Sequence, residues 1–387
     1  MHSPPEAAET SSLIDDQSLF LSVFSCRRSS PQRDRSGQKL RVYRMKLEAA
    51  LVIGACLGLL DASSGRAATS ALSAGVNLSG LEFKSGTLPG RANHDYVAPT
   101  DKELAYYQSK GVMMIRLPVL WGRLQPNLLA ANPSTTLDPA YFALIQKVLA
   151  EAAARKMQVI VDVHNYGGYA THKIGDGTVT QAQFAQFWQI FASALKSLPG
   201  LGGYDLMNEP SNMPSADVWP NAAQAAVTAI RKVDTSSYIF VEGNNWASAG
   251  SWASNNQNLT INDPKSRIIY EAHVYGDRNA SGTHFNWAIE ASHGVTVDTL
   301  AQRIGVFSNW CQVKSRRCMI GEIGVGKDNA KWNQQLANGF AAMRSGGLLG
   351  FTYWAGGPWW GSYAMNIEPV NGVDATQMSV VAKYGSN

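Results

Sequence analysis

From about residue 75 to the end, short apolar runs alternate with longer stretches of helical period. This alternation limits the available folds more than any other feature of the chain. The strand-like runs cover 75–80, 113–119, 157–165, 203–210, 238–244, 267–276, 317–324 and 348–356. They are near-continuous apolar segments, as expected of parallel strands buried on both faces. Helix-like stretches lie at 138–155, 181–198, 217–233, 296–314 and 330–345. The first of these opens on Asp138-Pro139, a cap followed by a first-turn proline. Eight strand–helix units in a stretch of this length predict a single (β/α)8 barrel over 69–387, with irregular first and fifth connections. No linker, low-complexity tract or second domain interrupts the pattern.

Barrels of this kind carry their chemistry at the carboxyl ends of the strands, and there the polar residues collect. Arg116 ends the second run. His164 ends the third, Asn208 and Glu209 the fourth, His273 and Tyr275 the sixth, Glu322 the seventh and Trp354 the eighth. A lone histidine or tryptophan at a strand end has an ordinary structural explanation. The same polar pattern at one end of six strands does not. Glu209 and Glu322 carry the argument, because a carboxylate closing a buried apolar run is expensive unless it is used.

Two carboxylates held over one substrate suit glycoside hydrolysis. One protonates the leaving oxygen while the other works on the opposite face of the sugar. The two roles require different environments. Arg116, a cation across the barrel from Glu322, favours the ionised, nucleophilic form of that residue. Glu209 is then the acid/base, with His273 as a candidate neighbour. Asn208 can offer its amide to the sugar 2-hydroxyl, Tyr275 can hold Glu322, and Trp354 can floor one sugar ring. His164 completes the set. Further tryptophans, Trp121, Trp246, Trp252, Trp359 and Trp360, fall at or just after strand ends and are candidates for sugar stacking along an extended cleft.

The segment before the barrel reads as processing signal. A Lys follows Met45, an apolar core runs from Ala49 to Leu60, and small residues lead to Ala67-Ala68. This is the layout of a secretory signal over 45–68, too short to span a membrane. Residues 1–44 are a Ser- and Arg-rich leader, read either as sequence upstream of a true start at Met45 or as an unusually long basic region before the signal. The formal net charge is +4, and about half of that excess lies before residue 69. A near-neutral remainder argues against nucleic acid or anionic membranes as partners and fits a neutral polymer. Of four cysteines, only Cys311 and Cys318 follow the signal. In an exported protein they read as one disulfide between a helix end and the next strand. There is no Cys/His cluster of metal-ligand spacing, no P-loop and no dinucleotide fingerprint, so neither metal nor cofactor is expected. The protein is expected to act as a monomer outside the cell or in the periplasm.

These residues resemble glycoside hydrolase family 5 over nearly all of 71–387. The resemblance assigns the family's characteristic positions to Arg116, His164, Asn208, Glu209, His273, Tyr275, Glu322 and Trp354. It implies Glu209 as acid/base and Glu322 as nucleophile. The stretches EGNNWASAGSW (242–252), YEAHVYGDRNASGTH (270–284) and TYWAGGPWWGSYAMNIEP (352–369) are similar to the branch that contains many fungal cellulases. That branch often has His after Asn-Glu-Pro, where this chain has Ser211. The branch implies a retaining endo-β-1,4-glucanase. Another β-glycanase of the family, such as a β-mannanase, and a barrel that binds polysaccharide without cleaving it are the alternatives.

Overall fold

Backbone donors and acceptors in apolar runs must pair with each other once buried, and the eight runs do so around a ring. The computed structural model describes residues 72–131 and 135–385. The leader (1–44) and signal (45–68) expectations lie outside them. The strands are β1 Ser73–Leu78, β2 Met114–Val119, β3 Gln158–Val163, β4 Leu201–Asp205, β5 Tyr238–Glu242, β6 Ile268–Tyr275, β7 Cys318–Gly324 and β8 Gly350–Gly356. They close a barrel in sequence order, every neighbouring pair parallel. Helices Pro139–Ala154, Gln181–Leu195, Val218–Arg231, Thr299–Val313 and Ala330–Ser345 sit where the helical period expects them. The Asp138 side chain caps the first of these through the Tyr141 N–H at 2.8 Å.

Two expectations need correction. The first connection contains a regular helix, Asp101–Ser109, opened by a Thr100/Glu103 capping box. Its apolar stripe is only Leu104 and Tyr107, too thin for periodicity to detect, although the cap motif was readable. The fourth strand ends at Asp205 rather than 210. Pro210 has no N–H to give a ladder, and Glu209 turns out of the strand with φ 45°. The fifth connection is irregular as expected, with a 3-10 turn at Ala249–Ser251 and a single helical turn at Trp252–Asn255.

The barrel interior is layered. Ile160, Phe240, Ile269 and Met319 plug its amino-terminal end. A cavity of about 430 Å³ opens below them, between Tyr238 and Arg317, with no carboxylate in its lining. Val76, Ile115, Val161, Ile239 and Ile320 face outward into the wall-to-helix core. Cys311 and Cys318 form a disulfide with Cα atoms 6.3 Å apart, tying the end of Thr299–Val313 to the start of β7. Among the described residues, no helix is long and apolar enough to cross a membrane.

Candidate active site

Above the apolar plug the barrel contains a buried charged layer. Arg116, from β2, is 0 % exposed and uses all five guanidinium N–H groups. Nε donates to Asp205 at 2.9 Å. Nη1 donates to Asn77 at 2.9 Å and to Glu322 at 3.0 Å. Nη2 donates to Asn208 and to Glu242, each at 2.9 Å. Asp162 and Glu271 lie 3.2 and 3.1 Å from the same group. Burial works against the guanidinium's charge, but the carboxylates around it more than compensate and hold its pKa above the ordinary arginine value. Burial, reinforced by Glu271 and only partly offset by Arg116, holds the Asp205 carboxyl well above the usual carboxylate range.

Glu322 and Glu209, the candidate catalytic pair, stand on this layer. Alternation along β7 would send Glu322 outward, because Met319 and Gly321 face in. One extra residue resets the phase. Both neighbours of β7 shift register between Ile320 and Ile323, which is a β-bulge. The bulge turns Glu322 into the barrel mouth, where it is 2 % exposed. Arg116 Nη1 donates to Oε1 and the Tyr275 hydroxyl donates to Oε2. Gly321 makes room for this. A Cβ on it would collide with Glu271 Oε1.

Glu209 approaches from the loop after β4. His273 Nδ1 is 2.8 Å from its Oε1 and 3.5 Å from Glu322 Oε2. One carboxylate oxygen of each glutamate and one His273 nitrogen lie within 4.8 Å of one another. The environments differ. Burial raises the Glu209 pKa against the pull of His273. Burial pulls the His273 imidazole down, but Glu242 and Glu322, with hydrogen bonding to Glu209, outweigh it and hold the ring well above its ordinary value. Two carboxyl groups held this close can act on the two atoms of one bond.

The remaining site residues frame this pair. His164 Nδ1 pairs with Asp162 at 2.7 Å, and its ring stacks on Trp354 at 5.4 Å between centroids. Asn208 directs Oδ1 to Arg116, and its Nδ2 has no protein partner among the described residues. A cavity of about 760 Å³ runs outward from Glu209, His273 and Tyr275, past Trp246, to Arg278 and Arg303. Trp246 is 45 % exposed and its backbone N–H donates to the Pro210 carbonyl, which sets it beside Glu209. Trp359 is exposed, and half-buried Trp360 packs edge-on against Trp354 and stacks on Tyr363. Ser211, at the position after Asn-Glu-Pro, is buried.

Two tryptophan candidates are corrected. Trp121 and Trp252 are both 0 % exposed. Trp121 packs among Tyr169, Phe184 and Phe187, and Trp252 against Phe307 and Trp310. Neither offers a face to a sugar. Sequence reasoning also missed Asp162, Asp205, Glu242, Glu271 and Asn77. For two of these a signal existed. Asp162 and Glu271 each stand two residues before a chosen histidine, Glu271 on the same strand as His273 and Asp162 one residue before the end of β3.

The fold and the paired carboxylates define a barrel hydrolase, and the comparisons agree with the class. The model of the cellulase family, glycosyl hydrolase family 5, matches residues 71–358. The chain belongs to that family. It is 31 % identical over 331 residues to the probable endo-beta-1,4-glucanase B of Neosartorya fischeri, covering 85 % of this chain and 95 % of that protein. It is similar to the crystal structure of Pseudomonas stutzeri endoglucanase Cel5A in complex with cellobiose, at 39 % identity and TM-score 0.76, over 81 % of this chain and 92 % of that one. XacCel5A in complex with cellopentaose matches at 34 % identity and TM-score 0.74, over 81 % and 99 %.

Proposed function

We propose that this protein is a secreted endo-β-1,4-glucanase that cleaves internal bonds of β-1,4-glucan with retention of configuration. The observation that carries the reading is the short separation of Glu209 and Glu322, with an oxygen of each within 4.8 Å. Retaining enzymes hold their carboxyl groups about 5–5.5 Å apart, whereas inverting ones leave about 6.5–9.5 Å for a water. Glu322, oriented by Arg116 and Tyr275, attacks C1 of the sugar while Glu209 protonates the departing oxygen. An α-linked glycosyl ester on Glu322 results. Glu209, now a carboxylate, then takes a proton from the incoming water, and the sugar leaves as the β-anomer. Asn208 Nδ2 is available to the 2-hydroxyl, and Trp354 with Trp246, Trp359 and Trp360 provides aromatic faces for neighbouring sugars.

The names of the relatives and the cello-oligosaccharides in the neighbouring structures support a glucan rather than a mannan. Export is supported by the signal-like run at 45–68 and by the disulfide. The test is proton NMR of fresh hydrolysate from cellopentaose, with reducing-end release from carboxymethyl cellulose and galactomannan measured in parallel. The β-anomer appearing first and preference for the glucan are expected. An α-anomer appearing first overturns the retaining roles. Preference for galactomannan makes the enzyme a mannanase, and no release from either polymer leaves a binding barrel.

A further inference from the structure

Glu242 ends β5 beneath the catalytic pair and is 0 % exposed, so no sugar reaches it. It nevertheless touches three of the site residues, Glu209, Arg116 and His273. Its Oε2 accepts the backbone N–H of Glu209 at 2.7 Å. Its Oε1 lies 2.9 Å from Arg116 Nη2 and 3.2 Å from His273 Nε2. The residue it grips is one that needs gripping. Glu209 has φ 45°, a left-handed backbone that side-chain-bearing residues adopt at a cost of about 1–2 kcal/mol. Glycine would take that conformation freely, but only a glutamate has the acid/base carboxyl, so the turn must be held by something else.

We propose that Glu242 is the positioning residue of the acid/base. It clamps the Glu209 turn through the backbone N–H, and it faces His273 Nε2 so that Nδ1 is presented to Glu209 Oε1. The inference rests on the reading of Glu209 as acid/base. The charged groups around this clamp are Arg116 from β2, Asp205 from β4, Glu271 at 3.9 Å from His273 Nε2, and Glu322 from β7. Glu242 stands nearer His273 Nε2 than Glu271 does, and its charge is the strongest of those that raise the imidazole against burial.

A clamp on the acid/base has a signature that general loosening of the fold lacks. It matters when the leaving group needs a proton and little when it does not. The experiment compares Glu242→Gln with wild type on cellotetraose and on 2,4-dinitrophenyl β-cellobioside, whose leaving group departs unprotonated. The imidazole of His273 is titrated by NMR in both proteins, assigned by its loss in His273→Asn. The glutamine cannot satisfy both sides, because one end of its amide must turn a donor toward a donor. We expect kcat/KM on cellotetraose to fall about 10²-fold, within the range of general acid catalysis. On the aryl glycoside it should fall less than about tenfold, and the His273 midpoint should move to lower pH. Should Glu242→Gln fail to fold, Glu242→Asp keeps the charge but withdraws the acceptor. It should show the same substrate split with the His273 midpoint nearly unmoved. Equal losses on the two substrates in a folded variant overturn the proposal. Glu209→Ala separates this from the underlying reading. A split in Glu209→Ala with none at position 242 removes only the clamp, whereas no split in Glu209→Ala removes the acid/base assignment itself.

Discussion

Replacing Arg116 by lysine keeps the positive charge and tests whether the charged layer depends on charge or on donor geometry. The guanidinium makes five hydrogen bonds to acceptors that are all at most 2 % exposed. An ammonium offers three N–H groups from a single point. At least two buried acceptors among Asn77, Asp205, Asn208, Glu242 and Glu322 therefore lose their donor. A hydrogen bond involving a charged group contributes about 1.5–3 kcal/mol, so Arg116→Lys should lose about 3–6 kcal/mol. That is a large share of the roughly 5–15 kcal/mol that holds a domain folded. With unfolding entropy of about 2.1 cal/mol/K per residue, the melting temperature should drop by roughly 5–10 °C. Activity should suffer separately, because Glu322 depends on Arg116 Nη1 for its aim, and a displacement of about 1 Å can cost about 10² in rate. Guanidinium chloride unfolding followed by tryptophan fluorescence gives the stability, and carboxymethyl cellulose hydrolysis gives the rate. A midpoint and a kcat/KM both close to wild type would show that charge alone suffices and that the five-donor argument is wrong.

Four further outcomes are expected. In Glu209→Ala, azide should restore turnover of an activated aryl cellobioside and yield the β-azide, whereas Glu322→Ala with azide should yield the α-azide; product NMR distinguishes them. Gly321→Ala should lose about 1–3 kcal/mol or more by differential scanning calorimetry, because its methyl would collide with Glu271, which Arg116 holds in place. Reducing the Cys311–Cys318 bond should lower stability by about 2–3 kcal/mol, the chain-entropy value for so short a loop, with the active site intact; titration of the two thiols checks the reduction. Burial pushes the Glu103 carboxyl up to about 7 against its hydrogen bonds to Thr100. The folded chain then keeps that proton while the unfolded chain releases it, so stability falls as pH rises from about 4.5 to about 7. Glu103→Gln keeps the capping box without the charge and should flatten urea midpoints across that window.

The fold was legible because eight buried strands and their helices leave a periodic trace, and because parallel strands in such an alternation have few ways to close. The closeness of Glu209 and Glu322 was legible because a charge on a buried run needs a reason. The same logic applied to Asp162, Asp205, Glu242 and Glu271, yet it did not single them out. Their reason is one another and Arg116, and which strand interiors converge on one guanidinium is set by barrel geometry rather than by spacing along the chain. The inward turn of Glu322 was hidden for a related cause. A bulge adds one residue to β7, and alternation read through it assigns the wrong face. Trp121 and Trp252 follow strands just as Trp246 does, but the short elements after the strands turn two of these rings into the core and leave the third in the open.

The five partners of Arg116 belong to strands or to the residues just beyond β4, and Glu242 grips Glu209 from within the wall. Trp246, Trp359 and Trp360 hang instead from the connections around the mouth. The residues proposed to break the bond and those proposed to grip the polymer are thus carried by separate parts of the chain. Descendants can lengthen, shorten or exchange the outer connections, and so retool their diet, without reinventing the centre that cuts. A change inside the wall has no such freedom, since six strands besides β2 meet the same guanidinium. Divergence within this lineage should therefore be written mostly in its loops.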